Sequence, residues 1–298
     1  MEKFGILNDE NREKYRPAFK GTSFFARNMW SLADNQAIVL GTQFCIFAQI
    51  FDDLIDSNEP EYGIKIINRA INIFKLGKLE DDPTPLERNL FDIHQNLEIR
   101  IGDQHPLMNL FRNSFIDYFD NLIPWQCMKK LEGDMSMNLY YNIRRQNMGM
   151  EPTFSLGVLF TMKRLNPDIL LDPLWKSLSD YSGKIAALYN DIFSYEKELR
   201  EKDVRMNSFY FMKTQNNWSD QECFDFMDKE LDNCFEQYII HENLIIQKFI
   251  PTLQNKEDEE ELYQIVGRFH LILTSIISMY LQKPSYKSQD SIFVELRI

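Results

Sequence analysis

Three aspartates close a long apolar run in this chain. Asp52, Asp53 and Asp56 follow the stretch Ile38 to Phe51. If the run is helical, Asp52 and Asp56 stand one turn apart on one face. Like charges at that spacing repel unless a cation joins them. Mg²⁺ fits that role, because it takes carboxylate oxygens and often shares them with substrate phosphates. For an acidic triplet taken alone, a solvated helix end is the simpler explanation. The apolar run before it aims these acids at a core or cavity instead. A second polar cluster lies far downstream, in Asn190-Asp191-Ile192-Phe193-Ser194-Tyr195-Glu196-Lys197-Glu198. On a helix, Asn190, Ser194 and Glu198 drift by only about 40° per step and share a face. Amide oxygen, hydroxyl and carboxylate are all hard donors suited to Mg²⁺. The two clusters together are far more specific than either alone. Between them, Arg144 and Arg145 precede a helix break at Gly149 and Pro152, a cation-rich corner where the chain must turn.

The elements that must position these groups read as helices throughout. Phe24 to Ala33 forms a short helix, and Asp34 is placed to cap the next one, Ala37 to Asp56, which carries the acids. Helical spacing recurs over Ile64–Phe74 and Leu86–Arg100. It continues over Leu107–Arg145 with an interruption near Pro124, and then over Thr153–Leu165. The second cluster sits on a helix through Trp175 to Arg200. Ser219-Asp220-Gln221-Glu222 is a capping box that opens a helix running to Phe249, and a last helix spans Asp258 to Leu281. Strand signals are weak, with no Asn-Gly or Asp-Gly hairpin between alternating runs. The expectation is one all-α domain over residues 1–298 with about ten helices and no internal boundary.

Composition narrows the function. Hydrophobic residues make up 44% of the chain and aromatic ones 13%, including 23 Phe, enough for a large core. A net charge of −12 and a pI near 4.9 oppose a polyanion partner, so nucleic acid is excluded. An anionic small ligand would need local cations to hold it. Cys45, Cys127, Cys223 and Cys234 stand far apart without a CxxC pair, as reduced thiols of a cytoplasmic protein do. The four histidines show no metal-ligand spacing. The N-terminus has no signal-peptide core, and no run has the roughly 18 uninterrupted apolar residues of a bilayer span. Either a monomer or a homodimer is compatible with these features.

The two clusters resemble those of class I terpene synthases of the microbial type, and the resemblance runs from about Phe24 to Tyr286. In that family, a DDxxD motif and an NDxxSxxxE motif face each other across the mouth of an α-helical barrel around an apolar cavity. Together they hold three Mg²⁺ ions and the diphosphate of a prenyl substrate. Asp52, Asp53 and Asp56 match the first motif. Asn190, Ser194 and Glu198 match the second, with Lys197 at the lysine commonly found before the glutamate. The family places a diphosphate-sensing arginine about 46 residues before the asparagine, and Arg144 stands there. Asn147 then falls at the linker position, and Met148 at the effector position whose carbonyl faces the substrate. Two departures stand out. The family's terminal Arg-Tyr pair survives only as Tyr286, with Ser285 in place of the arginine and Lys283 or Lys287 as candidate substitutes. Only 51 residues precede Asp52, so the family's first helices look trimmed.

The resemblance implies a carbon–oxygen lyase that ionises a prenyl diphosphate, farnesyl first and geranylgeranyl next, and cyclises the carbocation. Arg144, Lys197 and Tyr286 would stabilise the departing diphosphate beside the metal ions. Phe44, Phe47, Phe51 and Tyr280 are candidates for the cavity wall, where aromatic faces stabilise a cation. Ordinary core packing competes for each of them, and for Cys45. A chain-elongating prenyl diphosphate synthase would carry a second Asp-rich motif where this chain has Asn190, Ser194 and Glu198. A non-catalytic helical protein is the third alternative.

Overall fold

The computed structural model describes residues 1–9, 12–129, 136–201, 206–282, 286–293 and 296–297. Among these are eleven α-helices and no strand. They are α1 (Arg12–Met29), α2 (Asn35–Asp56), α3 (Pro60–Leu76), α4 (Pro85–Ile101), α5 (Pro106–Met128) and α6 (Met137–Asn147). There follow α7 (Met150–Thr161), α8 (Pro173–Glu201), α9 (Ser208–Asn216), α10 (Asp220–Phe249) and α11 (Lys256–Gln282).

Local chemistry sets most of the ends. The Asp34 carboxylate accepts from Ala37 N and starts α2. Thr84 with Glu87 and Ser219 with Glu222 form reciprocal capping boxes on α4 and α10, so each cap satisfies two of the backbone donors a helix start leaves free. Prolines stand in the first turns of α3, α4 and α5, where the missing N–H is harmless. Gly77 closes α3 at φ 62°, in the left-handed region.

Three helices depart from the sequence expectation. The segment from Phe24 is the end of a longer helix, α1, that stops at Met29. The interruption expected at Pro124 is absent, and α5 runs through it to Met128. Pro124 and Asp120 both face solvent, so the Asp120 carbonyl that loses its helical partner is free to take water. A short helix, α9, fills a stretch the periodicity left unassigned, with Asn207 as its cap.

The arrangement is layered around α7. All of its residues but Glu151 are buried, as expected for a helix apolar on every side, and α5, α8 and α11 pack around it. On one flank, α2, α3 and α5 share an aromatic core in which Phe47, Phe51, Phe74, Phe115 and Phe119 make ring contacts at 4.8–6.3 Å. On another, the buried Arg268 of α11 donates to Thr161 Oγ1 on α7 and to the Met29 carbonyl on α1, tying three helices together. Two helices, α2 and α11, are long and apolar enough to cross a membrane by length and composition. About half of each apolar window is buried inside the fold, which is how core helices of a bundle behave.

Candidate active site

A cavity of about 1250 Å³ opens between α2, α5, α6, α8 and α11. The sequence-predicted residues that line it are Asp52, Asp53, Asp56 and Phe44 from α2 and Arg144, Asn147 and Met148 around the end of α6. Asn190, Lys197 and Glu198 from α8 join them, with Tyr280 and Tyr286 beyond. Helical phase explains the α2 set. Positions 44, 45, 48, 49, 52 and 53 recur on one half of the helix surface. Phe47 and Phe51 fall on the other half. They are not among the lining residues and pack instead into the aromatic core with Phe119. Ser194 does not line the cavity either. It is buried on α8 between Asn190 and Glu198, one turn from each.

Arg144 links the two walls of the site. Its Nη1 donates to Asn147 Oδ1 at 3.2 Å and its Nη2 to Asn190 Oδ1 at 2.5 Å. Its guanidinium lies 4.8 Å from the Trp125 ring centroid, a cation–π distance. Nε sits 3.6 Å from Asp191 Oδ1, an ion-pair separation that leaves this buried nitrogen without a hydrogen bond. Burial alone would pull the Arg144 pKa down. The facing Tyr140 and Asp191 groups outweigh it and hold the pKa above its ordinary value.

The acids of the second cluster are electrostatically uncomfortable. Asp191 is fully buried, accepts from Tyr140 OH at 2.7 Å and from Ser208 N at 3.2 Å, and is still pushed up by desolvation against the pull of Arg144. Glu198 is raised for the same first cause, opposed by its bond to Ser194. In both, burial disfavours the charged form by more than Arg144 and the hydrogen bonds restore. Across the cavity, Asp56 has a protein cation already: Lys129 Nζ donates to it at 2.6 Å. Burial first, then the charges of Asp52 and Asp56, push the Tyr118 phenol up, and Tyr118 lines the same cavity. Lys197 pairs with Glu201 at 3.2 Å. The Tyr280 and Tyr286 rings lie 6.2 Å apart.

Among the described residues, no three His, Cys, Asp or Glu side chains gather around one point as a finished metal centre. The donor set nevertheless fits a hard divalent cation. Carboxylates from α2 and an amide oxygen and a raised carboxylate from α8 line one acidic cavity, with the Ser194 hydroxyl buried on α8 between the last two, and oxygen is the donor such cations take. Asp52, Asp53, Asn190, Ser194 and Glu198 are the residues that could hold it.

Residues 43–237 match the model of terpene synthase family 2, described as its C-terminal metal-binding region. The chain belongs to the terpene synthase family. Terpene synthase 2 of Dictyostelium discoideum is 31% identical over 280 residues, covering 91% of this chain and 79% of that protein. Terpene synthase 1 of Cavenderia fasciculata is 24% identical over 297 residues, covering 99% and 87%. Among solved structures, α-eudesmol synthase superimposes with a TM-score of 0.79 at 15% identity, over 93% of this chain and 89% of that one. A linalool/nerolidol synthase from Streptomyces clavuligerus, in complex with 2-fluorogeranyl diphosphate, gives 0.80 at 10% identity, over 92% of each chain. These likenesses show the fold, which is the α-helical class I terpenoid synthase fold.

Within this family member, sequence reasoning missed Lys129, Tyr140 and Asn207. Lys129 and Tyr140 carry no motif, and their roles arise from tertiary contacts alone. Asn207 had one legible signal, a capping residue ahead of the apolar Phe209–Met212. Of the terminal residues, Tyr286 is buried in the cavity wall, whereas Lys287 is not among the lining residues. Lys283 and Ser285 lie outside the described residues.

Proposed function

We propose that this chain is a Mg²⁺-dependent terpene synthase that ionises a prenyl diphosphate, farnesyl diphosphate first, and cyclises the resulting carbocation. The reaction is that of a carbon–oxygen lyase acting on a phosphate ester. One observation carries the reading: Asp52 and Asp53 on α2, and Asn190, Glu198 and Arg144 on the opposite side, line a single cavity that continues into apolar side chains. Bound Mg²⁺ would neutralise the diphosphate and make it a better leaving group.

The chain's own residues supply the rest. Arg144, held charged and oriented by Asn147 and Asn190, is a fixed donor for diphosphate oxygens as the C–O bond breaks. Lys197 lies at the same mouth. Burial is the largest single effect on Lys197 and lowers its pKa, but the bond to Glu201 and the charges of Glu201, Tyr286 and Glu198 together outweigh it and raise the pKa, so it stays a cation at neutral pH. Below the polar mouth, Phe25, Met29, Phe44 and Ile276 line the cavity. Their apolar surfaces fold the chain and keep water out, and the hydrocarbon side chains of Phe25, Phe44 and Ile276 offer the freed cation no lone pair. Phe44, Trp125 and Tyr280 add aromatic rings to the lining, and such rings stabilise a nearby cation.

The test is product analysis. Purified protein is incubated with Mg²⁺ and, separately, geranyl, farnesyl and geranylgeranyl diphosphate, and extracts are run by gas chromatography with mass spectrometry. A cyclic hydrocarbon or alcohol from farnesyl diphosphate, absent when Mg²⁺ is chelated, is the expected result. Linear alcohols at background level from all three substrates would overturn it. A longer diphosphate formed when isopentenyl diphosphate is added would assign the site to chain elongation instead.

A further inference from the structure

A dense polar knot at the site centres on a residue with no assigned role. Asn207 is fully buried at the start of α9. Its Oδ1 accepts from Phe209 N at 2.9 Å and so caps that helix. Its Nδ2 points the other way. It donates to the Asp191 carbonyl at 2.9 Å and to Glu198 Oε2 at 3.0 Å, and lies 3.4 Å from Ser194 Oγ. The residues on either side are held at the same place: Ser208 N donates to Asp191 Oδ2, and the Tyr140 hydroxyl that bonds Asp191 lies 3.0 Å from the Met206 carbonyl.

Capping α9 requires only an oxygen, which Ser or Asp supplies as well as Asn. What the amide adds is a donor on its far side, aimed at two of the three oxygen groups of the second cluster. A glutamate has three rotatable side-chain bonds and sweeps a wide arc unless something holds it. Here the chain fixes that arc from a different helix. Groups that orient the ligands of a metal are themselves worth 10–100-fold in metal affinity.

We propose that Asn207 is a positioning residue of the second cluster: its amide holds the Glu198 carboxylate beside Ser194, so that both oxygens are in place before a cation arrives. The inference rests on the reading of Ser194 and Glu198 as cation ligands. It adds that the α8–α9 connection, and not α8 alone, sets their geometry.

The experiment is a thermal-shift titration of the full chain with Mg²⁺ in the presence of inorganic diphosphate. Wild type is compared with Asn207→Ser and Asn207→Asp. Both replacements keep a capping oxygen, and Ser is too short to reach Glu198. Asn207→Ser is expected to melt near wild type without Mg²⁺, while its half-saturating Mg²⁺ rises roughly 10-fold. In turnover assays its KM for Mg²⁺ rises while kcat at saturating Mg²⁺ is retained. Asn207→Asp sets a second carboxylate against Glu198. Its cation-free Tm falls, and Mg²⁺ restores it, so the Mg²⁺-induced shift exceeds that of wild type. A merely structural role would lower Tm equally with and without Mg²⁺ and leave half-saturation unchanged in both variants, and that result overturns the inference. If Asn207→Ser does not fold, Asn207→Asp decides. If wild type itself shows no shift with Mg²⁺ and diphosphate, the ligand reading fails first and takes this inference with it. A wild-type shift with unaltered variants overturns this inference alone.

Discussion

Arg144 makes its contacts in three directions, to Asn147, Asn190 and Asp191, and that fork is what distinguishes it from a generic cation. Arg144→Lys keeps the charge but loses the planar pair of donors. It should lower kcat/KM for the prenyl diphosphate by about 100-fold, within the range for losing one preorganised donor to a developing anion, and leave Tm close to wild type. Arg144→Met should do more. It strands the buried Asp191 carboxylate without its cation, which costs about 3–5 kcal/mol of stability. Urea unfolding of the two variants separates the effects, because only the second should shift the midpoint strongly. Arg144 was legible in the sequence because it stands at a fixed offset from Asn190. Tyr140 and Asn207 were not. Each is an ordinary residue type that acquires its role from a helix distant in sequence, and no local pattern announces that.

Between residue and site stands the contact of α6 with α8. A Cβ added to Gly183 would meet the Arg145 carbonyl oxygen at 2.3 Å, so the two backbones touch at this point. That approach lets Arg144 reach Asn190, two turns further along α8. Gly183→Ala has no flexible neighbour to displace and must push the helices apart. It should destabilise the fold by about 1–3 kcal/mol and reduce turnover further than the stability loss explains, measured by kcat at a temperature where the variant is fully folded. The start of α2 makes a separate prediction. Arg100 first, then the Ala37 amide, hold Asp34 down from 3.8 to about 2. A carboxylate depressed in the folded state stabilises above its unfolded pKa, and loses that contribution as pH falls from about 4 towards 2. Asp34→Ala should therefore cost about 1 kcal/mol at neutral pH and clearly less at pH 2, where about half of the Asp34 carboxyls are protonated, read from denaturant midpoints at both. Such caps are written in short strings and were legible. The course of α5 was not, because whether Pro124 breaks a helix depends on whether water reaches the orphaned carbonyl, which only the packed structure decides.

At the scale of the whole molecule, the apolar and polar parts of the cavity lie along the same helices. The α2 acids sit at its mouth, and Phe44 and Cys45 stand two turns back, about 12 Å along the axis. The all-α architecture and the pairing of two oxygen clusters could be read from spacing and resemblance. Which aromatics face the cavity could not, because Phe44, Phe47 and Phe51 share a type and differ only in phase against neighbours the sequence does not display. The same phase now identifies where substrate length is controlled. Ala48 lines the cavity one turn behind Asp52, between the diphosphate site and the apolar end. A phenyl ring placed there by Ala48→Phe projects across the path of the hydrocarbon chain, and overpacking a fixed wall is poorly relieved. A long chain must pass that point and a short one ends near it. The variant should lose activity towards geranylgeranyl diphosphate most, farnesyl diphosphate next and geranyl diphosphate least, as measured by kcat/KM for diphosphate release on each. Equal losses on all three would place the chain's path along α11 instead, past Ile276 and Met279, and the matching substitution there would then be the one to shift the substrate order.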